Sequence, residues 1–196
     1  GQFKGAIYQP FTYETAKREG FSAEENFEFQ QQRNLFDFMR RLMVKRFESS
    51  FGAFEQSINR FRRINAHALE FIEKTGKYIL DRALMEKIYE KDEEDIEDYL
   101  EEYDEELRRG DYPKNHRIYE LNKFAFSDQF IEDIKSDLAL FETVAKELAA
   151  MDLVEDDPKS ACLTEHLGEV LNAKPLPGEP KRKVVIFSEY ADTVSH

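Results

Sequence analysis

From Leu35 onward the apolar residues recur mostly at steps of four and three: Leu35, Met39, Leu42, Phe47, Phe51, Phe54, Ile58 and Phe61. An α-helix turns once in about 3.6 residues, so this spacing lines one side of a helix with core-forming side chains and leaves the other to water. The period is close to that of a coiled coil. It predicts one long helix, or two joined near Gly52, running to about Thr75 with Gly76 as C-cap. A chain built around such an element is mainly α, a bundle of long helices covering one another's stripes.

The rest of the chain extends this pattern. Ala6 to Tyr13 reads as extended, with Pro10 restricting it to an edge or a crossing segment. Ser22 and Glu25 have capping-box spacing and start a helix. A second helical stretch spans Lys77 to Arg109, with Ile96, Tyr99, Leu100, Tyr103 and Leu107 on one face and Arg108, Arg109 and Gly110 as its stop. Asp111 to Arg117 reads as a loop. Ser127 caps a third helix whose inner stripe is Ile131, Ile134, Leu138, Phe141, Ala145 and Leu148. Asp157 and Pro158 form an N-cap followed by a first-turn proline, opening a short helix that turns Leu163, Leu167 and Val170 inward. Residues 174–183 (KPLPGEPKRK) are a proline- and glycine-rich linker. The unbroken apolar run Val184, Val185, Ile186, Phe187 then reads as a strand buried on both faces, the start of a short α/β stub. Asp192 is placed to open a helix after it. With Gly1 standing where a methionine is expected, the sequence reads as a piece of a larger protein that stops as a new α/β domain begins.

Charged residues make up 35% of the 196 positions, yet 41% are hydrophobic and 17 are Phe. That combination fits long solvated helices around an ample core rather than disorder. A net charge of −13 argues against the whole chain being a nonspecific DNA binder and leaves room for a local basic face. Cys162 is the only cysteine, so neither a disulfide framework nor a zinc cluster can be built. It reads as a small buried residue in a reducing compartment. No apolar run approaches the roughly 20 residues that span a bilayer. The expectation is a soluble cytoplasmic protein without membrane partners.

Familiar catalytic signatures fail on inspection. Lys74-Thr75-Gly76-Lys77 is the nearest approach to a phosphate-binding loop, but the motif needs Gly at position 71 and Ser or Thr at 78, where Phe71 and Tyr78 stand. Asp92-Glu93-Glu94-Asp95 is like an acidic Mg²⁺ box but lies inside an amphipathic helix, not after a buried strand. His67, His116, His166 and His196 are scattered; His166 and Glu169 share a helix face, but two ligands make a poor metal site. No catalytic residue, cofactor site or metal site is assigned. The segment Arg40 to Phe54 (RRLMVKRFESSFGAF) is richer. Arg40, Arg41, Lys45 and Arg46 put four cations in two turns, fit either to pair with the acidic helix or to form a ridge that meets DNA phosphates or braces a nucleotide-bearing lobe. Ser49 and Ser50 within it permit close packing and can bond back to the preceding turn.

RRLMVKRFESSFGAF resembles the R-x-L-x-x-K-R-[LF]-x-S-S-x-x-A-[LF] helix of bacterial helicase-like proteins of the Swi/Snf type, in superfamily 2, where it follows the first RecA-like lobe. Asp157-Pro158-Lys159 with Leu163 and Leu167 is similar to their D-P-K-x-x-x-L helix ahead of the second lobe. KVVIFSEYADTV (183–194) resembles that lobe's opening strand and turn, the region called motif IV. The resemblance implies a lead-in from lobe one at 1–21, a helical bundle at 22–151, a short helix at 152–173, the linker at 174–183 and the start of lobe two at 184–196. It also implies a parent that is an ATP-driven duplex-DNA translocase, with ATP and Mg²⁺ held outside this chain and no ATPase activity within it. Its expected neighbours are the flanking lobes and duplex DNA, with the ridge of Arg40, Arg41, Lys45 and Arg46 facing DNA or lobe one. Ser188 and Glu189, at the C-terminal end of the 184–187 strand, sit where open α/β sheets place ligands, in reach of the DNA backbone. The alternative from another class is a stand-alone module whose acidic helix binds a basic protein.

Overall fold

The computed structural model describes residues 2–14, 22–81, 83–85, 93–111, 116–174, 178 and 180–187, less the side chains of 93–97, 101, 104 and 108. In chain order the elements are a 3₁₀ turn (Ala6–Tyr8), α1 (Phe11–Glu14), α2 (Ala23–Ser49), α3 (Phe51–Thr75), β1 (Lys77–Asp81), α4 (Glu93–Arg109), β2 (His116–Glu120), a 3₁₀ turn (Leu121–Lys123), α5 (Ser127–Ala150) and α6 (Pro158–Asn172). The protein is mainly helical. Helix α3 is its axis, packed on α5 along one side and α2 along another, with α4 and the hairpin closing one end.

Local signals set most helix ends. The Ser22 hydroxyl accepts the Glu25 N–H at 3.2 Å while the Glu25 carboxylate accepts the Ser22 N–H at 2.8 Å, a complete capping box. Gly76 ends α3 in the left-handed conformation, φ 68°, where a Cβ would be strained. The long apolar stripe breaks at Ser50, two residues before Gly52. Ser50 is extended, ends α2, and starts α3 by accepting the Ala53 N–H on its hydroxyl at 3.1 Å. It is a cap and not a mid-helix serine, which is why a hydroxyl suits the position.

The core runs along α3 and α5. Ile58, Phe61, Ile64 and Ile72 from α3 meet Phe130, Ile134 and Phe141 from α5. Ile131, Leu138 and Ala145 flank them at half burial, as their spacing predicts. Leu100, Tyr103 and Leu107 bring α4 into the same core. Helix α5 begins at Ser127 itself, and the cap position is Phe126, whose N–H bonds to the Tyr13 carbonyl at 3.1 Å. Ser127 is therefore the first helical residue and not the cap.

The 6–13 segment is coiled and deeply buried instead of extended. Pro10 precedes α1, where a missing N–H costs nothing. The Tyr78 hydroxyl donates to the Ile7 carbonyl at 2.5 Å. The Asp137 carboxylate accepts the N–H groups of Lys4 and Gly5, both at 2.7 Å. Gly5, at φ 61°, has no room for a Cβ against the Phe36 ring. Gln32 of α2 ties this region to the hairpin, accepting the Phe11 N–H and donating to the Tyr119 hydroxyl.

The helix expected from Lys77 onward does not begin there. Tyr78, Ile79 and Leu80 lie in β1, paired antiparallel with β2 in the register Lys77↔Glu120, Ile79↔Ile118, Asp81↔His116. Three consecutive apolar residues bury well on a strand but would wrap around a helix. The expected loop at 111–117 likewise gives way to β2 from His116.

The apolar run at 184–187 is neither paired nor buried. It is irregular, and Phe187 is 91% exposed. Backbone N–H and C=O groups leave water only when a ladder satisfies them, and among the described residues no strand lies beside this run. Among the described residues the strands are β1 and β2. Helix α6 also departs from expectation. It buries none of its residues, Leu163 is 46% exposed, Leu167 and Val170 are half-exposed, and Cys162 faces solvent instead of a core.

Candidate nucleic-acid interface

The basic residues of α2 divide by helical position. Arg40, Arg41 and Lys45 are exposed on the solvent side. An open groove of about 640 Å³ runs past them, lined among the described residues by Asn34, Asp37, Arg40, Arg41, Val44 and Lys45. The Arg40 guanidinium carbon sits 5.6 Å from the Phe36 ring centre, which braces it from below. Arg46 does not share this face. It is 7% exposed, on the inner side with Leu35 and Met39. The expected four-cation ridge is a three-cation ridge plus one structural arginine. Three cations within about a turn and a half suit a run of phosphates, and Asp37 and Glu48 on the same side limit their field.

Sequence reasoning did not foresee what lies at the end of α2. There the RRLMVKRFESSFGAF and Asp-Pro-Lys segments meet in space. One oxygen of Asp157 accepts the Lys159 N–H at 2.8 Å and caps α6, while the other accepts the Phe51 N–H at 3.1 Å and caps α3. The Lys159 ammonium donates to the Phe47 carbonyl at the end of α2. It also sits 4.5 Å and 5.0 Å from the ring centres of Phe51 and Phe47. A cation at a helix C-terminus and an anion at two helix N-termini each oppose the local dipole. One buried carboxylate and one lysine thus hold the ends of three helices together.

The other predicted sites fare as follows. Ser188 and Glu189 lie outside the described residues, as do Asp92 and the side chains of Glu93, Glu94 and Asp95. Lys74-Thr75-Gly76-Lys77 is the C-terminal end of α3, where carbonyls and not N–H groups point outward, so it does not fit a nucleotide phosphate. His166 pairs with Glu169 at 3.5 Å on the open side of α6. Among the described residues no three His, Cys, Asp or Glu side chains are grouped to hold a metal ion, and no helix is long and apolar enough to cross a membrane. Compared with protein-family models, curated proteins and solved structures, the chain matches none.

Proposed function

We propose that this chain is the helical connection between the two RecA-like lobes of a cytoplasmic, ATP-dependent DNA translocase of the Swi/Snf type, bracing the lobes and touching duplex DNA through α2. The corner at Ser50 carries the reading. Two segments that each resemble an inter-lobe landmark of that family, 106 residues apart in sequence, are joined there by Asp157. Lobes that close on nucleotide need a stiff joint to pass the motion on. A three-helix corner held by capping and cation–aromatic contacts has that stiffness. Arg40, Arg41 and Lys45 lie within ten residues of it, so a phosphate contact there would be felt at the joint. ATP and Mg²⁺ belong to the lobes in this reading.

The ridge is tested by the anisotropy of a fluorescent DNA duplex titrated with the chain across a salt series. Three phosphate contacts give a slope of log K against log salt of about −2.7, from about 0.9 per contact. The triple reversal Arg40→Glu, Arg41→Glu, Lys45→Glu is expected to abolish binding. Binding that survives the reversal would remove the ridge from the mechanism.

A further inference from the structure

The outer side of α2 carries a second stripe, distinct from the one that faces the core. Glu24, Phe27, Gln31, Asn34, Phe38 and Arg41 follow one another at steps of three and four, and all six are exposed. Phe27 is 66% and Phe38 49% exposed. Single exposed apolar residues are ordinary on a protein surface. Two phenylalanines on one heptad seam of a 27-residue helix are a pattern.

The stripe is complementary to itself when reversed. A two-fold axis passing beside Gln32 and Arg33 sets Glu24 against Arg41 of a second copy, Phe27 against Phe38, and Gln31 against Asn34. Each of these pairings then occurs twice. The acidic end of the helix meets the basic end, the aromatic rings meet each other, and the amides meet at the centre. A parallel arrangement fails on the same residues, because it sets Glu24 on Glu24 and Arg41 on Arg41. Polar residues at the centre of a seam fix register at some cost in affinity. The buried length, from Glu24 to Arg41, is about 26 Å at about 1.5 Å per residue, short of a standard obligate interface.

We propose that a second copy of this chain docks antiparallel along the outer face of α2, forming a weak, reversible two-fold dimer. The proposal goes beyond the DNA reading and does not depend on it. Arg41 can meet a phosphate or the second copy's Glu24, but not both at once.

Sedimentation equilibrium of the intact chain, from about 10 µM to about 1 mM (the range in which small, transient interfaces associate), tests it. The wild type is expected to show a concentration-dependent monomer–dimer equilibrium. Glu24→Arg alone and Arg41→Glu alone should each weaken it on the order of tenfold, since two attractive pairs become repulsive. The double variant should recover wild-type association, because the pairs are restored with their signs exchanged. Those residues are too far apart on one helix to compensate each other within a monomer. Phe38→Ala should weaken the dimer while leaving the helical circular dichroism intact. A wild type that stays monomeric throughout overturns the proposal. So does a dimer indifferent to the single reversals, or a double variant weaker than either single one.

Discussion

Truncating Phe61 to alanine is expected to destabilise the protein by about 3–5 kcal/mol, the usual cost of emptying a large aromatic site in a packed core. Phe61 is fully buried at the crossing of α3, α5 and the N-terminal turn. Its ring contacts Phe141 at 5.5 Å, Tyr8 at 6.1 Å and Phe3 at 6.2 Å between centres. These three neighbours are rings, which cannot extend into the vacated space as a flexible side chain could. Against a typical total of about 5–15 kcal/mol, that loss is large. Urea unfolding should show a lower midpoint with an unchanged slope. Leu163→Ala on α6 is the contrast, with an expected change within about 0.5 kcal/mol. Equal effects at the two sites would mean that α6 is packed and the core is placed wrongly.

Asp137→Ala is expected to cost about 3 kcal/mol, because it leaves the Lys4 and Gly5 N–H groups facing a dry void. The N-terminal turn should loosen with it, seen as faster amide exchange at Ile7 and Tyr8. The group also carries a pH signature. Burial pushes the Asp137 carboxyl above the usual carboxylate range, against the Lys4, Gly5 and Ala6 N–H groups that pull it down. The folded protein therefore keeps this proton to a higher pH than the unfolded chain does. Its contribution is complete below the unfolded value, about 3.9, and is lost as pH rises through the folded one. Asp137→Asn has no such titration. The stability of wild type relative to that variant should fall as pH is raised from about 4. A difference that grows over that range would contradict the burial argument.

What the sequence reveals here is mostly local. The Ser22–Glu25 box, the Gly76 stop, the Asp157–Pro158 start and the inner stripes of α3 and α5 rest on residues a few positions apart, and they form as their spacing dictates. Arg46 was misplaced on the exposed ridge because its charge was weighed above its helical position. It falls seven residues after Met39, which turns it to the buried side of α2 whatever its charge. The hairpin was not legible, because Tyr78, Ile79 and Leu80 make a run too short to distinguish strand from helix, and its partner lies across α4. The second role of Asp157 could not be read from neighbouring residues, since the Phe51 N–H reaches it only through the fold. Leu163 shows the opposite limit. Its spacing gives α6 an inner face, and the face finds nothing to cover it within the described bundle.

The most direct test of the motor-joint account is ATP hydrolysis by the whole gene product, with and without duplex DNA, beside the same protein carrying Arg40→Glu, Arg41→Glu and Lys45→Glu. The account expects hydrolysis that DNA stimulates in the wild type, and basal hydrolysis without that stimulation in the variant. A gene product that does not hydrolyse ATP, or a variant that DNA stimulates as fully as the wild type, would contradict it.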